Sequence, residues 1–164
     1  MLFVEQHQIV PIIMPVNLAT GANDGDYVSL KGWTRVTFVI LAAIGAAAED
    51  IIATVRQATS VAGANAKDLV AITRADVKQG ADLTTVGAYT KVAQALAATY
   101  TSDTGGETQN LHVLEVESQD LDVNGGFDCV TLNIADTGAT AKLGCVIAIL
   151  SEPRGSANVS AIVD

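Results

Sequence analysis

Lys31-Gly-Trp-Thr-Arg-Val-Thr-Phe-Val-Ile-Leu-Ala42 is the longest β-prone run in the chain and holds its only tryptophan, Trp33. Val36, Phe38 and Ile40 alternate with Arg35, Thr37 and Val39, which is the two-residue period of a strand. The alternation is incomplete, because Val39 and Leu41 put apolar groups on the second face. A strand apolar on both faces is covered on both, by its own fold or by a neighbouring subunit. Val39 and Leu41 are therefore expected to lie under the connection from Ala43 to Asp50 or against another chain. With Trp33 and, nearer the N-terminus, Pro11, Ile12 and Ile13, they form the set of interface candidates.

Working outward, residues 1–25 read as an extended arm and loop, 26–151 as one sandwich domain, and 152–164 as a tail. Pro11 and Pro15 cannot join a central ladder, so any strand between Ile9 and Val16 lies at an edge. Asn17 to Asp26 is turn chemistry, strongest at Asn23-Asp24-Gly25. Strands are expected at Tyr27–Leu30, Ile51–Thr59, Leu69–Thr73, Leu111–Ser118, Phe127–Ala135 and Leu143–Leu150. In Ile51–Thr59, Ile51, Ala53, Val55 and Gln57 alternate with a wetter face. Ala75 to Gly87 is polar and reads as a loop, as does Ser102 to Gln109. Ala88 to Tyr100 has alanines and helical spacing, but its threonines and its place between strand-rich halves favour a bulged strand. About eight short strands separated by turns, with little helix, make the fold an all-β sandwich of jelly-roll type.

Composition narrows the function classes. The chain has 164 residues, the size of one domain. Charged residues are only 16%, against an average near ~25%, so part of the surface is expected to be buried against partners. The nine basic residues are scattered and the net charge is −9, which leaves no patch to neutralise phosphates; nucleic acid is not an expected partner. The longest apolar run, Phe38 to Ala48, is too short for a bilayer that needs ~20 residues, and no membrane contact is expected. No basic residue precedes Lys31, so a signal peptide and classical export are not expected either. Cys129 and Cys145 then read as two small buried hydrophobes, although neighbouring strands would allow them to bond.

No constellation reads as catalytic. Asp120, Asp122, Asn124 and Asp128 resemble the start of a calcium loop, with oxygen ligands at alternate positions and Gly125 at the turn. The twelfth position is Thr131 instead of a bidentate Glu, and the flanks read as strands, so tight-turn chemistry accounts for the same residues. His7 and His112 are far apart and no nucleophile is marked beside either. Glu115 and Glu117 share a strand face and read as a solvated face, because a glycosidase draws its acids from opposite sides of a cleft. No cofactor is expected.

Several segments follow one another in a telling order: Gly32–Phe38, Ala53–Thr59, Leu111–Glu117, Asp120-Leu-Asp122, Gly126–Val130, Ile134–Ala139, Leu143–Leu150 and Pro153-Arg154. Across most of residues 26 to 155 the chain resembles small structural proteins encoded among the head genes of tailed bacteriophages. The resemblance implies a capsid decoration, or cement, protein on the exterior of a virion. It implies the major capsid protein and further copies of this chain, as a dimer or trimer, as partners, and no enzymatic activity. Other virion components (tail tube, connector, tail tip) and a carbohydrate-binding sandwich are the alternatives. Against the last, Trp33, Tyr27, Tyr89 and Tyr100 are too scattered for a sugar-stacking platform.

Overall fold

The computed structural model describes residues 2–43, 46, 49–80, 85–102, 109–136 and 138–155. Eleven strands run in chain order: β1 (Gln8–Asn17), β2 (Val28–Ser29), β3 (Trp33–Ala42), β4 (Ile52–Ala58), β5 (Lys67–Asp68) and β6 (Ile72–Gln79). They continue with β7 (Thr90–Ala97), β8 (Thr99–Thr101), β9 (Asn110–Glu117), β10 (Cys129–Ile134) and β11 (Leu143–Pro153). One antiparallel sheet has the order β1-β11-β3-β9-β6-β7; the other has β2-β10-β4-β5, with β8 also on β4. The all-β sandwich expected from the sequence is therefore present, with eleven strands instead of about eight.

The opening stretch sits near the middle of the larger sheet, flanked by β11 and β9. Val36, Phe38, Ile40 and Ala42 point inward and are buried, beside Leu114 and Val116 of β9 and Val146, Ala148 and Leu150 of β11. From the other sheet Ala53 and Val55 of β4 and Val130, Leu132 and Ile134 of β10 join the same core. β10 is buried on both faces because the turn from Asn17 to Asp26 lies over it. Thr131 Oγ1 donates to the Asp26 carbonyl at 3.0 Å, and Asn23 bridges Ile134. Gly25 makes that approach feasible: a Cβ there would stand 2.5 Å from the Leu132 carbonyl oxygen.

Four expectations need correction. The N-terminal segment is no free arm: β1 is the edge strand of the large sheet, paired to β11 from Gln8↔Leu150 to Asn17↔Leu143. The prolines are accommodated as expected of an edge, with register shifts after Pro11 and Ile13. Ala75 to Gly87 is not all loop, since β6 continues to Gln79 with Ala75 and Val77 inward and charged residues outward. The strand expected at Leu69–Thr73 starts only at Ile72. The tail expected from residue 152 begins late, because Glu152 and Pro153 still belong to β11; residues 156–164 lie outside the described residues. The loops expected over 43–50 and 102–109 also fall partly outside them. Ala88–Tyr100 is strand, as β7 and β8, with the bulge expected of it between Ala93 and Ala97, opposite Thr73 of β6.

Gly144 shows how tightly the sheet packs on the turn below it. A Cβ at Gly144 would lie 2.5 Å from Cδ1 of fully buried Leu18 and 2.9 Å from the Leu41 carbonyl oxygen. Gly144→Ala is expected to cost about 1–3 kcal/mol through this overpacking, read as a lower urea midpoint at unchanged m-value.

Candidate functional site

The register of the large sheet decides which residues share its outer face. Leu41 stands between Cys145 and Leu111, and Val39 between Ile147 and Val113. Pro11 and Ile9 of β1 extend the same rows beside Ile147 and Ile149. One end of the outer face is therefore apolar across four strands. Leu41 is 52% exposed and Leu143, beside it, 63%. A shallow apolar cleft of about 290 Å³ lies among Pro15, Leu41, Leu143 and Cys145. Among the described residues Leu41 is left open and Val39 half-buried; the connection expected to cover them, 43–50, lies partly outside the described residues.

Along the same strands, toward their other ends, the face turns polar. Thr37 Oγ1 donates to Glu115 at 3.3 Å, and Arg35 bridges Glu117 at 3.3 Å and Glu152 at 3.5 Å. On β6, Arg74 binds Asp76 at 2.6 Å. Arg35, Arg74, Asp76, Glu115 and Glu117, with Gln119, line an open groove of about 530 Å³ that Thr73 and Leu96 also border. Glu115 and Glu117 share one face as expected, and both accept hydrogen bonds from neighbours across the ladder.

Of the remaining interface candidates, Pro11 is on this surface and the other three are not. Trp33, Ile12 and Ile13 are 8%, 3% and 6% exposed and belong to the core. Ile12 and Ile13 are both inward because the shift in β1 between Pro11 and Ile13 breaks the alternation. Pro11 alone of the three on β1 remains outside.

The calcium-like residues are engaged separately. Asp120 Oδ2 accepts the Glu117 N–H at 2.9 Å. Asp122 Oδ1 accepts from Gly125 N–H at 3.0 Å, while its Oδ2 holds the Lys67 ammonium at 2.6 Å. That ammonium, with the Gly125 N–H, keeps the Asp122 carboxyl below the usual range. Asn124 lies in the 3-10 turn Val123–Gly125, and Asp128 accepts from the Cys129 thiol at 3.1 Å. Among the described residues no three His, Cys, Asp or Glu side chains converge on a metal-sized site.

The titratable groups inside the fold are packed for structure. Cys129 and Cys145 are free thiols on different sheets; Cys129 is buried as expected, but Cys145, expected to be buried too, is only half-buried at the outer cleft. Burial, with the nearby Asp128 carboxylate, pushes the Cys129 thiol up to about 12, so it stays protonated and unreactive. His7 stacks on Phe3 at 4.0 Å, far from His112 in the chain's core. His112 is fully buried, with Nδ1 3.2 Å from the Tyr100 hydroxyl and, among the described residues, no hydrogen-bond partner for Nε2. Burial, and then the charge of Lys142, lowers its pKa to about 4. Lys142 is itself buried and donates from Nζ to the Glu49 carbonyl.

No protein-family model matches the chain, and no curated protein does. Among solved structures, the N-terminal cellulose-binding domain from Cellulomonas fimi β-1,4-glucanase C aligns at 16% identity and a TM-score of 0.24. That alignment covers 92% of this chain and 81% of that one. The structure of infectious bursal disease virus, Gx strain, aligns at 10% identity and a TM-score of 0.24, over 91% of this chain and 41% of the viral chain. The Gt strain structure gives 11% identity and 0.21, over 96% and 43%. This chain thus spans under half the length of the viral chains it matches. Likenesses of this size identify neither a family nor a ligand.

Proposed function

We propose that this protein is a non-enzymatic virion component of the capsid decoration type. It would bind the outside of a tailed-phage head, contact the major capsid protein, and act together with further copies of itself. The observation that carries the reading is the apolar end of the outer sheet face, where Leu41, Leu143 and their cross-strand neighbours are left open by a chain poor in charge. An uncovered apolar surface across several strands gains free energy when a lattice covers it, and many such contacts favour the assembled head by mass action.

The test is binding of purified protein to expanded heads that lack it. Saturation at a fixed number of copies per capsomer, with a higher disruption temperature of the decorated heads, is expected. Leu41→Asp should leave folding nearly unchanged, since the side chain is half exposed, yet weaken head binding at least tenfold. Val39→Asp should act in the same direction. Binding by both variants indistinguishable from wild type would remove the sheet face from the interaction.

A carbohydrate-binding role is favoured by one feature, the open groove. Its guanidinium, carboxylate, amide and hydroxyl groups can donate to and accept from a polyhydroxylated ligand. Retention on a glycan array, lost in Arg74→Ala and kept in Leu41→Asp, would make that the better reading.

A further inference from the structure

Strand edges are where a β protein can add another strand, and proteins usually block them. Among the described residues, β1 is blocked by Pro11, Pro15 and two register shifts. β2 and β5 are two residues long and β8 three, too short to template a ladder. β7 is different. It has eight residues with no proline or glycine, carries a single charge, Lys91, and among the described residues pairs on one side only; its own register shift comes after Ala93 and leaves Thr90 to Ala93 regularly paired. Thr90 to Ala93, Ala95 and Leu96 are exposed, and the approach is flanked by Tyr89 at 57% exposure. The regular run from Thr90 to Ala93 leaves an open row of backbone donors and acceptors that suits an extended strand.

We propose that β7 is a self-association edge. Two copies pair β7 to β7, antiparallel, about a two-fold axis normal to the sheet, so that the six-stranded sheets of both become one continuous sheet. Side-chain chemistry selects a second copy over a foreign strand. Ala93, Ala95 and Ala97 let two backbones approach, but they form no pockets that would read another sequence. Symmetric pairing centred on Val92 sets Lys91 against the partner copy's Ala93, and pairing centred on Ala93 sets it against the partner copy's Ala95. In both registers the strand's one charge avoids its own symmetry mate. A contact confined to one edge falls below the roughly 1,200 Å² of a stable interface, so the dimer is weak and its population grows with concentration. The inference stands apart from head binding, which uses the outer face.

Sedimentation velocity on the full chain tests it. Wild-type protein is expected to shift from monomer to dimer between low and high micromolar concentration. Ala93→Lys sets the new lysine against the partner copy's Lys91 or against its own mate, and should raise the dissociation constant at least tenfold. Its site is exposed, so circular dichroism should match wild type. Independently, in a Cys145→Ser background, Val92→Cys (register centred on Val92) or Ala93→Cys (register centred on Ala93) should form a covalent dimer on mild oxidation, while Met14→Cys at the opposite edge should not. Wild-type protein monomeric throughout, Ala93→Lys dimerising like wild type, or no cross-link at either position 92 or 93 would each overturn the proposal.

Discussion

Taking the protein from pH 6.5 to pH 4 is expected to cost about 3 kcal/mol of folding stability through His112 alone. The imidazole has an ordinary pKa of 6.5 in the unfolded chain and about 4 in the fold. Above pH 6.5 it is neutral in both states and contributes no slope. Between 6.5 and 4 the unfolded chain takes up a proton that the folded one refuses, so stability falls as pH falls. Below about 4 both states are protonated and this loss levels off. The refusal is local. Burial strips the imidazolium of water, and the nearby Lys142 ammonium repels it. Urea midpoints measured every half pH unit should show the decline, and His112→Phe should flatten it over the same window. An unchanged slope in that variant would move the acid sensitivity elsewhere in the molecule.

Phe38→Ala is expected to cost about 3–5 kcal/mol, a large share of the 5–15 kcal/mol typical of a domain. Phe38 is fully buried between Leu114 and Ala148, in a core where both sheets meet. Its deletion removes the ring's transfer free energy and leaves a cavity that the paired strands on either side cannot collapse into. The adjacent substitution Val39→Ala points to the other face and should cost well under 1 kcal/mol in the free protein. A denaturant series on the two variants, one residue apart, reads the sidedness of the strand directly. Comparable losses would mean that the outer face is packed in solution.

Much of the fold was legible because β3, β9, β10 and β11 alternate branched or aromatic apolar residues, which leaves little choice of period. β6 was lost past Thr73 because Arg74, Asp76 and Lys78 dominate its composition, and the inward residues between them, Ala75 and Val77, are small. β7 could be read only as ambiguous, since alanine carries little strand preference and its exposed faces give no burial pattern. For the candidate surface, the apolar second face at Val39 and Leu41 was visible from the sequence. Their companions Leu111, Cys145, Ile147 and Leu143 were not, because they come from strands whose register no local pattern encodes. Trp33, Ile12 and Ile13 were misplaced for related reasons. A tryptophan at a strand start faces whichever side the preceding turn dictates, and a bulge turns two successive residues inward.

The placement of β11 bears on how the chain is made. It is the last strand synthesised among the described residues, yet it lies between β1 and β3, among the first. Until residue 143 and its successors emerge from the ribosome, β1 has no neighbour in its sheet and one side of β3 is bare. The large sheet therefore closes only once β11 has emerged, by a long-range pairing of β11 with β1 and β3, which is the slow class of folding event. Truncation anywhere before β11 should yield an insoluble product, however much of the sandwich has already been translated.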